Sequence, residues 1–249
     1  MSTIEVFSAL HREGIFVMPN PWDRGSALVL EEMGFPALAT TSAGLGRSLG
    51  KDDQQVTRAE LVTHVAELTG VLSVPLNVDS ERLYPDDPGG VAGTVAMLVD
   101  AGAAGCSIED YDPATGAIVD ITVASDAVSE AAGACAGAGL VLTARAENHL
   151  YGVDDLDDTI RRLIAYREAG ADVVYAPGLV AFEDIERVVS ETGAPVNVLA
   201  HPFGPTIEEL GALGVRRVST GSALFNAARR TLRAAGRELS DYGTSNYAV

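Results

Sequence analysis

Three carboxylates have the type and placement for chemistry. Asp79 and Glu81 close the run VPLNVDSE, and Glu109 closes AAGCSIED. Each follows a stretch of apolar or small residues, the pattern of a strand covered on both faces. Rim acids paired with Lys and Arg are the plain alternative, but few basic residues lie nearby in the sequence. Unpaired carboxylates that share a pocket repel one another and resist desolvation. A hard divalent cation resolves that conflict. Mg2+ takes oxygen ligands, keeps several waters, and needs only one or two carboxylates beside substrate oxygens. Asp79, Glu81 and Glu109 are therefore the candidate ligands of Mg2+, with Mn2+ an acceptable replacement.

Arg145 ends the otherwise apolar run LVLTAR. A buried guanidinium needs an anionic partner, and its planar fork matches a carboxylate through two bonds. That partner is either a substrate carboxylate or Glu109, and the reading favours substrate. Thr41, Ser42, Ala43 and Gly44 form a small polar turn after another apolar run, where N–H groups and a hydroxyl suit a carboxylate or oxyanion. Asn197 and His201 follow a third run, in APVNVLAHP. His201 is either a satisfied structural residue or a substrate contact. The remaining histidines, His11, His64 and His149, do not cluster with zinc spacing. No glycine-rich nucleotide motif and no nucleophile elbow occurs.

Such groups need a frame that gathers strand ends. One unit recurs: a helical stretch, a glycine, then a short apolar run. The glycines are Gly14, Gly34, Gly70, Gly102, Gly139, Gly170, Gly193 and Gly214. Glycine ends helices in the left-handed conformation without a Cβ penalty. Eight such units predict a (β/α)8 TIM barrel, whose active site lies at the C-terminal ends of the strands. The expected layout is one catalytic barrel over residues 1–240 and a polar tail over 241–249, either loose or laid on a partner subunit. Residues 57–68 and 156–169 read as amphipathic helices.

Composition narrows the partners. The 249 residues carry 35 acidic and 17 basic side chains, a formal net charge of -18. Such a surface repels nucleic acid and anionic membranes. An anionic substrate therefore requires a bound cation or a buried arginine. Without an apolar leader or spanning run, and with only Cys106 and Cys135, the sequence reads as a cytoplasmic protein.

Taken together, NPWDRGSALVLEEMGFPALATTSAG, SLGKDD, PLNVDSERLY, AGAAGCSIED, LTARAENHL, ADVVYAPGL and APVNVLAHP resemble the isocitrate lyase/phosphoenolpyruvate mutase superfamily, in order and spacing, from about Gly14 to Ala228. The resemblance implies that Asp79, Glu81 and Glu109 form the Mg2+ shell and that Asp53 is the acid of a mobile loop. It implies that Thr41, Ser42 and Ala43 bind a substrate carboxylate and that Arg145 contacts substrate. Trp22 and Asp23 become a pocket wall. It also implies a homo-oligomer, dimer or tetramer, with the last helix exchanged between subunits.

This chain departs from the family at three places. The lid YDPATGAIVD carries no Cys, Lys or His, Leu83, Tyr84 and Pro85 replace a usual Gly-Tyr-Gly, and Ala176 stands where some members have histidine. The first reading is a Mg2+-dependent C–C lyase or decarboxylase acting on a small 2-oxo or 2-hydroxy acid through a pyruvate-like enolate. The alternatives are a P–C bond mutase and a catalytically quiet barrel that binds a metabolite.

Overall fold

The computed structural model describes residues 1–248. Eight parallel strands form a nearly closed barrel: β1 (Phe16–Met18), β2 (Leu38–Ala39), β3 (Leu76–Val78), β4 (Gly105–Glu109), β5 (Val141–Arg145), β6 (Val173–Tyr175), β7 (Val196–Leu199) and β8 (Arg217–Ser219). They lie side by side in the order β1-β8-β7-β6-β5-β4-β3-β2. Across the remaining seam, between β1 and β2, Ala39 N–H donates to the Pro19 carbonyl at 3.1 Å and the Asn20 side-chain amide donates to the Thr40 carbonyl at 2.6 Å. All eight expected strands are present, each after its glycine.

Helices pack around the outside and are capped as their sequences require. Thr57 and Glu60 cap each other reciprocally at the head of Arg58–Thr69, and Asp155 caps Leu156–Glu168. Gly139 and Gly193 close their helices in the left-handed conformation, at φ of 75° and 64°. Gly70 departs from the expected pattern: its φ is -66°, an ordinary helical value.

Two segments differ from their sequence reading. The lid region folds as an antiparallel hairpin, Tyr111–Asp112 against Ala117–Ile118. The tail is not loose throughout: the last long helix runs to Tyr242, and Glu238 then accepts bonds from Thr244 and Asn246. Among the described residues no helix is long and apolar enough to cross a membrane.

The barrel interior is more polar than the usual Val/Ile/Leu filling. Met18, Asn77, Ser107, Thr143, Arg145, Tyr175, Asn197, Arg217 and Ser219 line a cavity of about 210 Å3 that opens at the C-terminal strand ends. Apolar burial is concentrated instead between strands and helices, around Leu76, Val78, Leu98, Leu142 and Leu163. A helix over Thr3–Leu10 covers the opposite end, where Phe7, His11 and Phe16 meet edge to face.

Candidate active site

Strand register sets the layout. Glu109 pairs with Arg145, Arg145 with Tyr175, Tyr175 with Asn197, and Asn197 with Arg217. Side chains at paired positions of a parallel sheet point the same way, here inward. Glu109 is the last residue of β4 and Arg217 the first of β8, so in tilted strands this ladder descends from the mouth toward the floor.

Arg145 is the centre of the upper part. Its Nε donates to Glu147 at 2.6 Å, its Nη1 to Asp79 at 2.7 Å, and its Nη2 faces Glu109 at 3.4 Å. The guanidinium also lies 5.3 Å from the centroid of the Tyr175 ring. One cation among three acids leaves an excess of negative charge. Burial pushes Glu109 well above the ordinary carboxylate range, against the pull of Arg145. Burial raises Glu147 as well, again opposed by Arg145.

Glu81 shows the same strain more plainly. It is buried, one carboxylate oxygen has no hydrogen-bond partner, and its backbone sits at φ 50°. Burial, then Asp79 and Asp53, push its carboxyl up to about 8. Leu83 and Tyr84 also have positive φ, 58° and 49°. These are the positions where the family resemblance expects glycine-containing sequence, and the backbone keeps a glycine-like path without glycine. Non-glycine residues held there cost about 1–2 kcal/mol each and persist where surrounding structure over-determines them. Buried Leu83 and the Tyr84 hydroxyl, which donates to the Val56 carbonyl at 3.1 Å, supply that constraint.

The turn after β2 is partly spent on the protein itself. Ser42 N–H donates to Asp79 at 2.8 Å and Gly44 N–H to the Thr41 hydroxyl at 3.2 Å. Thr41, Ser42 and Ala43 do line the cavity. The expectation of a free N–H cradle therefore narrows to Ala43 N–H and the Ser42 hydroxyl. Asp53 reaches the same rim from the next loop, 3.5 Å from the Ser42 hydroxyl. Partial desolvation, then Asp79, raise its carboxyl. Gln54, at φ 63°, donates to Glu109 at 2.8 Å and ties that loop over the acids.

Behind the site, Asp110 accepts Glu147 N–H at 2.8 Å, the Tyr166 hydroxyl at 2.5 Å and Arg162 at 3.2 Å. This buried network fixes the backbone that carries Glu147, and through it Arg145. At the rim, Tyr111 stacks on Tyr151 and Arg82 pairs with Asp112 at 2.8 Å, so the hairpin is held at both faces.

Three sequence expectations are corrected. Trp22 and Asp23 line a separate surface groove beside Leu45 and His64, not the cavity. Asp23 caps the helix Arg24–Glu32 through Ser26, and Trp22 packs edge to face on Phe225. His201 is exposed on its loop, where its Nδ1 accepts from Phe203 N–H at 3.3 Å. Asn197 does line the cavity, but its amide is bound to Ser219 and Arg217. Glu147, Gln54, Tyr175 and Arg217 belong to the site without having been singled out. Their register with Glu109 and Arg145 finds Tyr175 and Arg217, the Arg145 contact finds Glu147, and only the folded loop finds Gln54.

The acids fit a magnesium ion in one respect and not in another. Among the described residues, no three His, Cys, Asp or Glu side chains form a ready-made metal cage. Arg145 lies between Asp79 and Glu109, 2.7 Å from the first and 3.4 Å from the second. Mg2+ does not need such a cage. An unpartnered Glu81 oxygen and a surplus of buried negative charge suit a hard divalent ion with water in its shell.

Residues 7–240 match the family described as phosphoenolpyruvate phosphomutase. The chain belongs to the phosphoenolpyruvate phosphomutase family. This phosphomutase-family chain is 35% identical to the uncharacterized protein Rv1998c of Mycobacterium tuberculosis (strain ATCC 25618 / H37Rv), over 94% of this chain and 89% of the relative. It is 28% identical to 2-methylisocitrate lyase of Aeropyrum pernix, over 94% and 79% of the two chains. A Burkholderia cenocepacia J2315 protein provisionally termed a lyase/mutase superposes on this family member with a TM-score of 0.94 at 43% identity, covering 99% of this chain and 91% of the other. The family member is thus an enzyme of the isocitrate lyase/phosphoenolpyruvate mutase superfamily.

Proposed function

We propose that the protein is a Mg2+-dependent lyase or decarboxylase that breaks a C–C bond next to the oxo or hydroxy carbon of a small carboxylic acid. The observation that carries this reading is the arrangement of Arg145 among Asp79, Glu109 and Glu147, with Glu81 unpartnered beside them, at the top of a polar cavity. That arrangement concentrates charge where an enolate would develop, in a site largely screened from water. Asp79, Glu81 and Glu109 would hold Mg2+, partly through water, and the ion would supply Lewis-acid stabilisation of the developing enolate oxygen.

The chain's own groups do the rest. Three of the five N–H groups of Arg145 are engaged by acids, and the residue lines the cavity, so the other two are left to receive a substrate carboxylate or oxyanion. Ala43 N–H and the Ser42 hydroxyl hold the other end of that carboxylate. Asp53, at the rim with its carboxyl raised by burial and Asp79, is placed to return a proton to the enolate carbon after cleavage. Tyr111 and Tyr151 close the side of the mouth and keep bulk water off the enolate.

The test is turnover of 2-oxo and 2-hydroxy acids by purified protein loaded with Mg2+ or Mn2+, followed by pyruvate detection and carbon NMR. Metal-dependent release of a 2-oxo product, abolished in Asp79→Ala, is expected. Absence of turnover across the panel would sink the reading. Phosphonopyruvate belongs in the panel: a new phosphorus resonance would move the assignment to a P–C bond.

A further inference from the structure

Arg217 lies at the lower end of the ladder that begins at Glu109, and it is unlike Arg145 in one respect. It is 2% exposed, and it has no acidic partner among the described residues. Its Nε donates to Asn197 Oδ1 at 2.9 Å and its Nη2 to the Thr143 hydroxyl at 2.8 Å. Its Nη1 lies 3.2 Å from His11 Nε2. His11 Nδ1 is 2.8 Å from the Phe7 carbonyl, which can only accept, so Nδ1 carries the proton and Nε2 is the acceptor for Arg217. All three partners are neutral. Burial lowers the guanidinium to about 9 and lowers His11 to about 3, so the neutral imidazole adds no second positive charge, but no nearby carboxylate balances the guanidinium.

A buried cation without a counter-charge is costly, and burial of this kind is normally relieved by an anion. Two N–H groups of Arg217 remain beyond its three bonds. Arg217 lines the same cavity as Asn77, which is 4% exposed and has an amide oxygen without a partner. The Asn77 amide can turn to offer its NH2 to a ligand, and the Thr143 hydroxyl, accepting from Arg217, keeps its own proton to donate. Arg217, Asn77 and Thr143 can thus each present a donor to the cavity.

We propose that the barrel floor is a second anion subsite, in which Arg217, Asn77 and Thr143 bind a compact anion. The chemistry suits a halide-sized ion or the far carboxylate of a bound diacid. The diacid case rests on the lyase reading above; the free-ion case does not.

Three measurements on the full-length protein test it. Thermal unfolding is compared in sodium chloride and in sodium gluconate at equal ionic strength, since gluconate is a far larger and more hydrated anion than chloride. Chloride raises the midpoint saturably, by about 2–4 °C, for an ion that binds only the folded state. The increment disappears in Arg217→Met and persists in the surface control Arg187→Met. Crystals soaked in bromide place an anomalous peak beside the Arg217 guanidinium, a readout on unaltered protein that stands even if Arg217→Met does not fold. With turnover in hand, chloride competes with a diacid but not with a monoacid, and Arg217→Met raises KM for the diacid about tenfold or more with kcat little changed. Competition assigns the subsite to a substrate carboxylate, and stabilisation without competition assigns it to a free ion. Equal midpoints in the two salts, together with no bromide peak, overturn the proposal whether or not any acid is turned over.

Discussion

Arg145 Nη1 and Asp79 Oδ1 meet at 2.7 Å, across the barrel mouth from strands that do not touch. The other Asp79 oxygen accepts Ser42 N–H at 2.8 Å. One aspartate therefore joins the guanidinium of β5 to the turn after β2, and the groups suited to a substrate carboxylate are positioned relative to one another through it. Charge placement and geometry are set by the same residue.

Arg145→Lys separates these two roles. Lysine keeps the positive charge but cannot span Asp79, Glu109 and Glu147 with one planar fork. Turnover in kcat/KM is expected to fall about 100- to 1,000-fold, the range for loss of an aligned donor at a developing oxyanion. Arg145→Ala is worse for the fold, because it strands three buried acids; a loss of about 3–5 kcal/mol in urea unfolding is expected. Lysine activity close to the parent enzyme would show that only the charge matters.

Tyr166→Phe tests the support behind the site. The hydroxyl donates to buried Asp110 at 2.5 Å, and Asp110 in turn accepts Glu147 N–H. Removing it leaves the carboxylate with fewer donors, at a cost of about 1.5–3 kcal/mol. Denaturant titration measures that loss. An unchanged midpoint would mean that Arg162 and Glu147 N–H together satisfy Asp110.

The barrel was legible because glycine followed by a short apolar run marks a helix end and a buried strand at once. Asp79 and Glu109 were legible because acids at the ends of such runs have few other uses. Glu147 was visible two residues beyond Arg145, but nothing local separates it from any acid at a strand end; its value comes from the Arg145 contact. Arg217 begins its strand amid VRRVST, and only register shows that it turns inward while Arg216 lies nearer the surface. Asp23 was misread because a family position suggested the pocket, whereas the local need of a helix N-terminus claimed its carboxylate. His201, left open between a structural role and a substrate contact, is exposed on its loop, and nothing in the local sequence shows that.

The last long helix, Ala223–Tyr242, has no buried residue along its 20 positions. Leu232, Leu239 and Tyr242 are 72%, 50% and 78% exposed and fall on one face. A helix so weakly anchored is marginal in water unless its apolar face is covered. We propose a second copy of the chain as the cover. Light scattering should give a multiple of 25.9 kDa, a dimer or tetramer. Leu232→Glu combined with Leu239→Glu should shift the mass to the monomer, and a monomeric parent protein would end the proposal.

Acid stability is expected to depend on His11. Burial, then Arg217, lower its folded pKa from 6.5 to about 3. In the unfolded chain it takes a proton near pH 6.5; in the folded chain it stays neutral, because its two nitrogens are committed to Phe7 and Arg217. The unfolded state thus binds more protons throughout this window, and its relative free energy falls as pH falls. Stability from this residue is complete above pH 6.5 and is lost progressively toward pH 3, by at most about 1.4 kcal/mol per pH unit. Carboxylates also titrate at the lower end, so the decisive range is pH 6.5 to 5. Urea unfolding of His11→Gln should show a flatter dependence on pH there than the parent protein, even if its absolute stability is lower. Parallel curves across that range would mean that His11 does not stay neutral in the folded barrel, and that the floor holds one more positive charge than its hydrogen bonds imply.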